Sequence, residues 1–228
     1  MRFRWDLFLI VAMLTPSGCA VMRSSRRAVD FSAGELQQAM KAGPSATPLE
    51  IFNAGALEQT TYTTSYDASY VKLDYPNGDV PAHTGVCADV IVRAFREIGL
   101  DLQKELHEDM TRHFGKYPAK WGARKPDRNI DHRRVPNLMT WFERKGKSLP
   151  LTKNARDYRP GDIVTWMLAE NRPHTGIVSG IRVPETERYA IIHNIGMGAR
   201  LEDVLFLWEI TGHYRYFNEH QTGNRARN

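Results

Sequence analysis

Gly85-Val86-Cys87-Ala88-Asp89-Val90-Ile91-Val92-Arg93-Ala94-Phe95-Arg96-Glu97-Ile98-Gly99 is where the reading of this chain starts. Val86, Val90 and Ala94, together with Ile91, Phe95 and Ile98, recur at helical spacing and predict an amphipathic helix. Thr84 or Gly85 suits its N-cap, and Gly99 suits a left-handed stop. Cys87 then falls in the first turn, on the face shared with Val90, Ile91 and Ala94, so its thiol looks into the fold. The positive end of the helix dipole favours a thiolate there and predicts a thiol pKa below the ordinary value of about 8.5. Cys87 is the candidate nucleophile. The competing reading is a small buried hydrophobe, the common fate of a lone cysteine on an apolar face, and a base within reach separates the two.

The chain has 228 residues, 42% of them apolar and 10% aromatic, which suits one domain with extensions. Its net charge of +5 is unevenly spread. Residues 112–147 hold eleven Lys or Arg against Asp127, Asp131 and Glu143, leaving the remainder slightly acidic. Such a patch attracts a polyanion. Nucleic acid is the weakest candidate, because the basic run lacks interleaved aromatics at a recognisable spacing. Gly196-Met197-Gly198 is too short to signal a phosphate-cradling loop.

Cys19 and Cys87 are the only cysteines. Arg2 and Arg4, then an apolar run from Leu7 to Leu14 too short to span a bilayer, predict a signal peptide over residues 1–19. Thr15-Pro16-Ser17-Gly18-Cys19-Ala20 is similar to a bacterial lipobox, which would make Cys19 an acylated N-terminus. Pro16 stands where that pattern prefers Leu, so ordinary cleavage near Ala20 is the alternative. Either route implies export to the periplasm, with a lipid anchor in the outer membrane if Cys19 is acylated. One remaining cysteine forms no internal disulfide, and a lone thiol in an exported chain flags reactivity.

Residues 20–59 read as a tether and N-terminal helices, with Ser32 to Glu35 at capping-box spacing before a helix reaching Met40, and a second helix from Leu49 to Gln59. Residues 60–217 read as one catalytic domain, and 218–228 as a polar tail. Asp101 can cap a helix carrying Leu102, Leu106, Met110 and Phe114, and Pro136 sits in the first turn of another that stops at Gly146. Strands follow: Ile163–Leu168, His174–Gly180 and Tyr189–His193, with one or two more over Val204–Ile210 and His213–Phe217. Helices first and short strands afterwards describe an α+β fold in which the Cys87 helix packs on an antiparallel sheet.

His174 and His193 stand at strand edges. A cysteine at a helix start, a histidine opening a strand and a polar residue on the next strand are what nucleophilic acyl transfer requires: thiol, imidazole and a group fixing the tautomer. Cys, His and His are also zinc ligands, yet no close-spaced ligand pair accompanies them. Neither metal nor cofactor is expected.

Cys87 on its helix, Pro160-Gly161-Asp162-Ile163-Val164, His174-Thr175-Gly176-Ile177-Val178 and Ile191-Ile192-His193 resemble the NlpC-type papain-like cell-wall peptidases. The likeness spans residues 62–217. Asn129 to Asn137 and Ile210 to Tyr216 are similar to a narrower bacterial family near those enzymes, domain of unknown function 1287. The resemblance implies a papain-like fold, Cys87 as nucleophile, His174 as base, His193 as orienting residue and Tyr75 as an oxyanion-site donor. The usual Asp-Cys-Ser-Gly is Val86-Cys87-Ala88-Asp89 here; Asp89 supports the helix start but opposes a thiolate. His132, Arg133 and Arg134 are expected to line the cleft and receive substrate carboxylates. The function expected is amide hydrolysis in peptidoglycan stem peptides. The alternative is a non-catalytic lipoprotein that grips peptidoglycan, or another acidic envelope polymer, through its basic surface.

Overall fold

The computed structural model describes residues 27–28 and 32–218. The segment expected as a signal peptide (with Cys19), most of the expected tether and nearly all of the expected polar tail lie outside them. Five helices precede most of the sheet: α1 (Ala33–Ala39), α2 (Pro48–Tyr62), α3 (Cys87–Glu97), α4 (Leu102–His113) and α5 (Val135–Arg144). The strands are β1 (Arg27–Ala28), β2 (Ile163–Leu168), β3 (Arg172–Arg182), β4 (Tyr189–Asn194), β5 (Ala199–Asp203) and β6 (Glu209–Tyr214). They form one antiparallel sheet in the order β1-β5-β4-β3-β2-β6. The fold is α+β.

Local chemistry starts the helices. Ser32 with Glu35, and Thr47 with Glu50, form capping boxes at α1 and α2, so each first turn has its orphan N–H groups satisfied. Asp101 caps α4 by accepting from the Gln103 N–H. Gly99 has φ +77, the left-handed conformation that stops α3.

α3 is amphipathic as its spacing predicts, but its polar side is buried too: every residue from Cys87 to Phe95 is buried, Asp89 and Arg93 included. Its apolar side packs on the sheet and on α2, where Phe52 meets the Phe95 ring edge-on at 4.8 Å, within a core that includes Leu138, Phe142, Ile163, Ile177 and Ile192. Its polar side is covered by the 63–86 loop and held by ion pairs instead of water. A smaller core of Tyr158, Val164, Trp166, Val178, Ile191, Val204 and Leu205 lies on the other face of the sheet.

The strand expected over Val204–Ile210 is largely a turn. Leu205 gives its carbonyl to the Trp166 indole N–H at 2.9 Å, and Val204 receives the Leu207 N–H at 3.0 Å, so this apolar run caps the second core instead of pairing. The strands on either side, β5 and β6, take its place in the sheet. The segment expected as a strand over His213–Phe217 supplies the end of β6 through Tyr214 and then leaves the sheet.

Candidate active site

The lead into α3 is pinned from three directions. Arg93 on α3 donates to the Asp79 carboxylate at 2.8 Å and to the Thr84 carbonyl at 3.0 Å. Asn194, at the end of β4, donates to the Ser65 and Gly85 carbonyls, both at 3.0 Å. Arg133 donates to the Asp67 and Ser69 carbonyls at 2.9 and 3.1 Å. A chain otherwise rich in turn residues is thereby fixed immediately before Cys87.

Asp89 has two tasks. It accepts from the Val86 N–H at 2.6 Å, closing the helix start from the third position. It also receives the Arg133 guanidinium at 3.0–3.2 Å in a pair that is almost wholly buried. Its charge, which in the sequence opposes a thiolate, is matched.

Cys87 is the first helical residue and is 4% exposed. Burial pushes its thiol up to about 12, against the pull of the Thr175 backbone N–H, and Asp89 pushes the same way. The N–H groups of Ala88 and of Cys87 itself also pull downward. This corrects the expectation of a lowered pKa: desolvation outweighs the helix terminus, because the charged form loses more by leaving water than a half-charge returns. The resting group is a thiol. Thr175 follows His174 on β3, so the same strand meets the sulfur and carries the imidazole.

His174 Nε2 lies 2.8 Å from His193 Nδ1, and His193 Nε2 lies 2.9 Å from the Glu202 carboxylate. With Glu202 ionised and both rings neutral, the carboxylate accepts from His193 Nε2, His193 Nδ1 accepts from His174 Nε2, and His174 Nδ1 is the nitrogen left to act as a base. Three adjacent strands, β3, β4 and β5, supply this line. Trp166 and Trp208 flank the His174 ring at centroid distances of 5.9 and 5.8 Å. Gly176 lets β3 and β4 approach: a Cβ there would lie 2.7 Å from Ile191 Cγ2 and 3.0 Å from His193 Cβ.

Cys87 opens on a cleft of about 370 Å³ walled by Tyr66, Tyr70, Trp121, Arg134 and Pro173 among others. Burial pushes the Tyr66 phenol up to about 12, reinforced by the nearby Asp89 carboxylate, so it stays a donor. A larger hollow of about 680 Å³ lies between the α1–α2 connection and the sheet and contains none of these groups.

The other expected site residues fare unequally. Tyr75 is absent from the cleft walls; it packs edge-on against His107 at 5.3 Å, with Arg128 over its ring. Tyr66, not Tyr75, shares the cleft wall with Cys87. His132 is 2% exposed and does not line the cleft, so it cannot receive a carboxylate there. Arg133 touches the cleft, but its guanidinium is occupied by Asp89 and two carbonyls, and it is a strut. Arg134 alone of the three presents a partly exposed side chain, over the Trp121 ring at 4.4 Å. Glu202 escaped the sequence reading altogether. Among the described residues, no group of three or more His, Cys, Asp or Glu has the geometry of a metal site.

The family model "Domain of unknown function (DUF1287)" matches residues 53–216, which contain all of these groups. The chain belongs to this family. A relative, "Uncharacterized protein YijF" of Escherichia coli (strain K12), is 54% identical over 164 residues, covering 72% of this chain and 79% of its own length.

Proposed function

We propose that this DUF1287 protein is an exported thiol hydrolase of NlpC-type, papain-like kind, cleaving an amide bond in peptidoglycan stem peptides. The observation that carries the reading is the line Glu202–His193–His174, a carboxylate and two imidazoles in hydrogen-bond contact, which ends on a strand whose next residue meets the Cys87 sulfur. A structural cysteine has no use for a base whose tautomer is set by two further groups.

In this reading Cys87 Sγ attacks the amide carbonyl carbon while its proton passes to His174 Nδ1. Proton transfer in the same step makes a thiol near 12 compatible with catalysis, since no free thiolate need accumulate. The oxyanion is held by backbone N–H groups at the start of α3 and by the Tyr66 hydroxyl. The imidazolium then protonates the leaving nitrogen, and the amine departs from a thioester. Water attacks the thioester, giving its proton to His174, and the carboxylic acid leaves as the thiol re-forms.

The burial of Cys87 favours a second reading, an envelope-binding lipoprotein that keeps the fold without turnover. Incubating the mature protein and Cys87→Ser with purified peptidoglycan, and reading fragments by mass spectrometry, separates the two. New termini released by the parent protein and absent with Cys87→Ser are expected. No difference between the proteins, with binding intact in both, overturns the hydrolase.

A further inference from the structure

A second hollow, of about 540 Å³, continues the Cys87 cleft and shares Tyr70, Trp121 and Arg134 with it. Its charges are unbalanced. Arg134 is taken by Asp131 at 3.1 Å. Asp127 is turned into the wall, accepting from the Tyr70 hydroxyl at 3.1 Å and from the Asn129 backbone and side chain at 2.9 and 2.8 Å. Lys125 and Arg128 line the same hollow, both exposed, and among the described residues neither is ion-paired. The backbone beneath them is fixed: Gln103 on α4 donates to the Arg128 carbonyl at 3.1 Å, and Asn129 accepts from the Leu73 N–H at 2.9 Å. Trp121 and Tyr70, 53% and 59% exposed, give the shelf two apolar faces beside its two cations.

We propose that this shelf is an anion subsite that binds a free carboxylate of the substrate, borne outside the amide bond presented to Cys87. The proposal rests on the hydrolase reading for the identity of that bond. Arg128 offers a planar fork and Lys125 a point charge, while the aromatic faces cover the methylenes leading to the carboxylate. With Arg134 matched by Asp131, Lys125 and Arg128 against Asp127 leave the hollow about one net positive unit, which a carboxylate balances and a phosphate dianion exceeds. The subsite therefore moves from the His132-Arg133-Arg134 run to the loop before it.

The test uses stem-peptide fragments with free or amidated side carboxylates, the parent protein, the Lys125→Ala/Arg128→Ala double variant, and Cys87→Ala for binding without turnover. The double variant is expected to raise KM for the acid fragment roughly five- to tenfold with kcat nearly unchanged, and to leave the amidated fragment unaffected. Calorimetry on Cys87→Ala, with and without the two substitutions, should show the same factor in Kd. Equal handling of acid and amidated fragments by the parent protein overturns the subsite while leaving hydrolysis standing. Acid-selective binding with no turnover upholds the subsite and overturns the hydrolase. Inorganic phosphate displacing the acid fragment at lower concentration than acetate overturns the carboxylate assignment.

Discussion

His193 Nε2 and the Glu202 carboxylate meet at 2.9 Å across β4 and β5, both groups shielded from water. An amide in place of that carboxylate can donate as well as accept, so it no longer dictates which His193 nitrogen carries the proton, and the order at His174 is lost with it. Glu202→Gln is expected to lower kcat by on the order of a hundredfold or more with little change in KM, since binding contacts are untouched. Glu202→Asp, which keeps the charge but shortens the reach, should recover part of the rate. Near-normal turnover in Glu202→Gln, measured on peptidoglycan fragments, removes the carboxylate from the mechanism.

Cys87 should behave as a shielded thiol in the free protein. Iodoacetamide labelling at Cys87, followed by peptide mapping, is expected to be slow at pH 7 and to accelerate as pH climbs toward about 12. In denaturant the same cysteine should react as an ordinary thiol with a midpoint near 8.5. Rapid native labelling with an inflection near neutrality would mean a preformed thiolate–imidazolium pair instead of the proton transfer described above.

The buried Arg133–Asp89 pair holds the nucleophile's own turn. Arg133→Met leaves the Asp89 carboxylate unmatched among apolar neighbours and is expected to cost about 3–5 kcal/mol in urea unfolding. Arg133→Lys should recover little, because a single ammonium cannot reach Asp89 and both carbonyls together. Adding Asp89→Asn to Arg133→Met should restore part of the loss by removing the unpaired charge. A single-variant cost below about 1 kcal/mol would show that water reaches the pair.

What the sequence discloses follows from how directly each residue's position depends on its neighbours in the chain. The α3 period and the β-branched runs of β2, β3 and β4 are local, so Cys87, His174 and His193 could be set on their elements from sequence. Glu202 sits on Ala199-Arg200-Leu201-Glu202-Asp203, which has no β-branched residue and becomes a strand through pairing with β4. Tyr75 as an oxyanion donor rests on the family resemblance, across a loop whose path no local pattern fixes. The Asn194 and Arg133 anchors hold the Ser65 and Asp67 carbonyls, and Tyr66 between them lies on the Cys87 cleft wall. The His132-Arg133-Arg134 run straddles the end of a 3-10 turn, Asp131–Arg133, where successive side chains point about 120° apart. Three adjacent residues there cannot share one cleft, and the turn sends His132 inward, Arg133 to Asp89 and Arg134 to Trp121.

His132 gives the fold an acid-sensitive point. Among the described residues its buried Nδ1 has no hydrogen-bond partner, and burial, reinforced by Arg96 and Arg133, holds its pKa down at about 3, with Asp101 and Asp79 offsetting part of this. In the unfolded chain the same group titrates near 6.5. Between those values the unfolded state binds a proton that the folded state refuses, so the stability present above about 6.5 is lost as pH falls toward 3. At pH 4.5 the group should cost the native state about 2–3 kcal/mol relative to pH 7. His132→Gln, which cannot titrate, should therefore be the less stable protein at pH 7, through imperfect packing, and should close or reverse that gap at pH 4.5. Urea unfolding of both proteins at the two pH values reads the difference directly. A gap that stays constant would mean that His132 takes up its proton in the folded protein at its ordinary pKa.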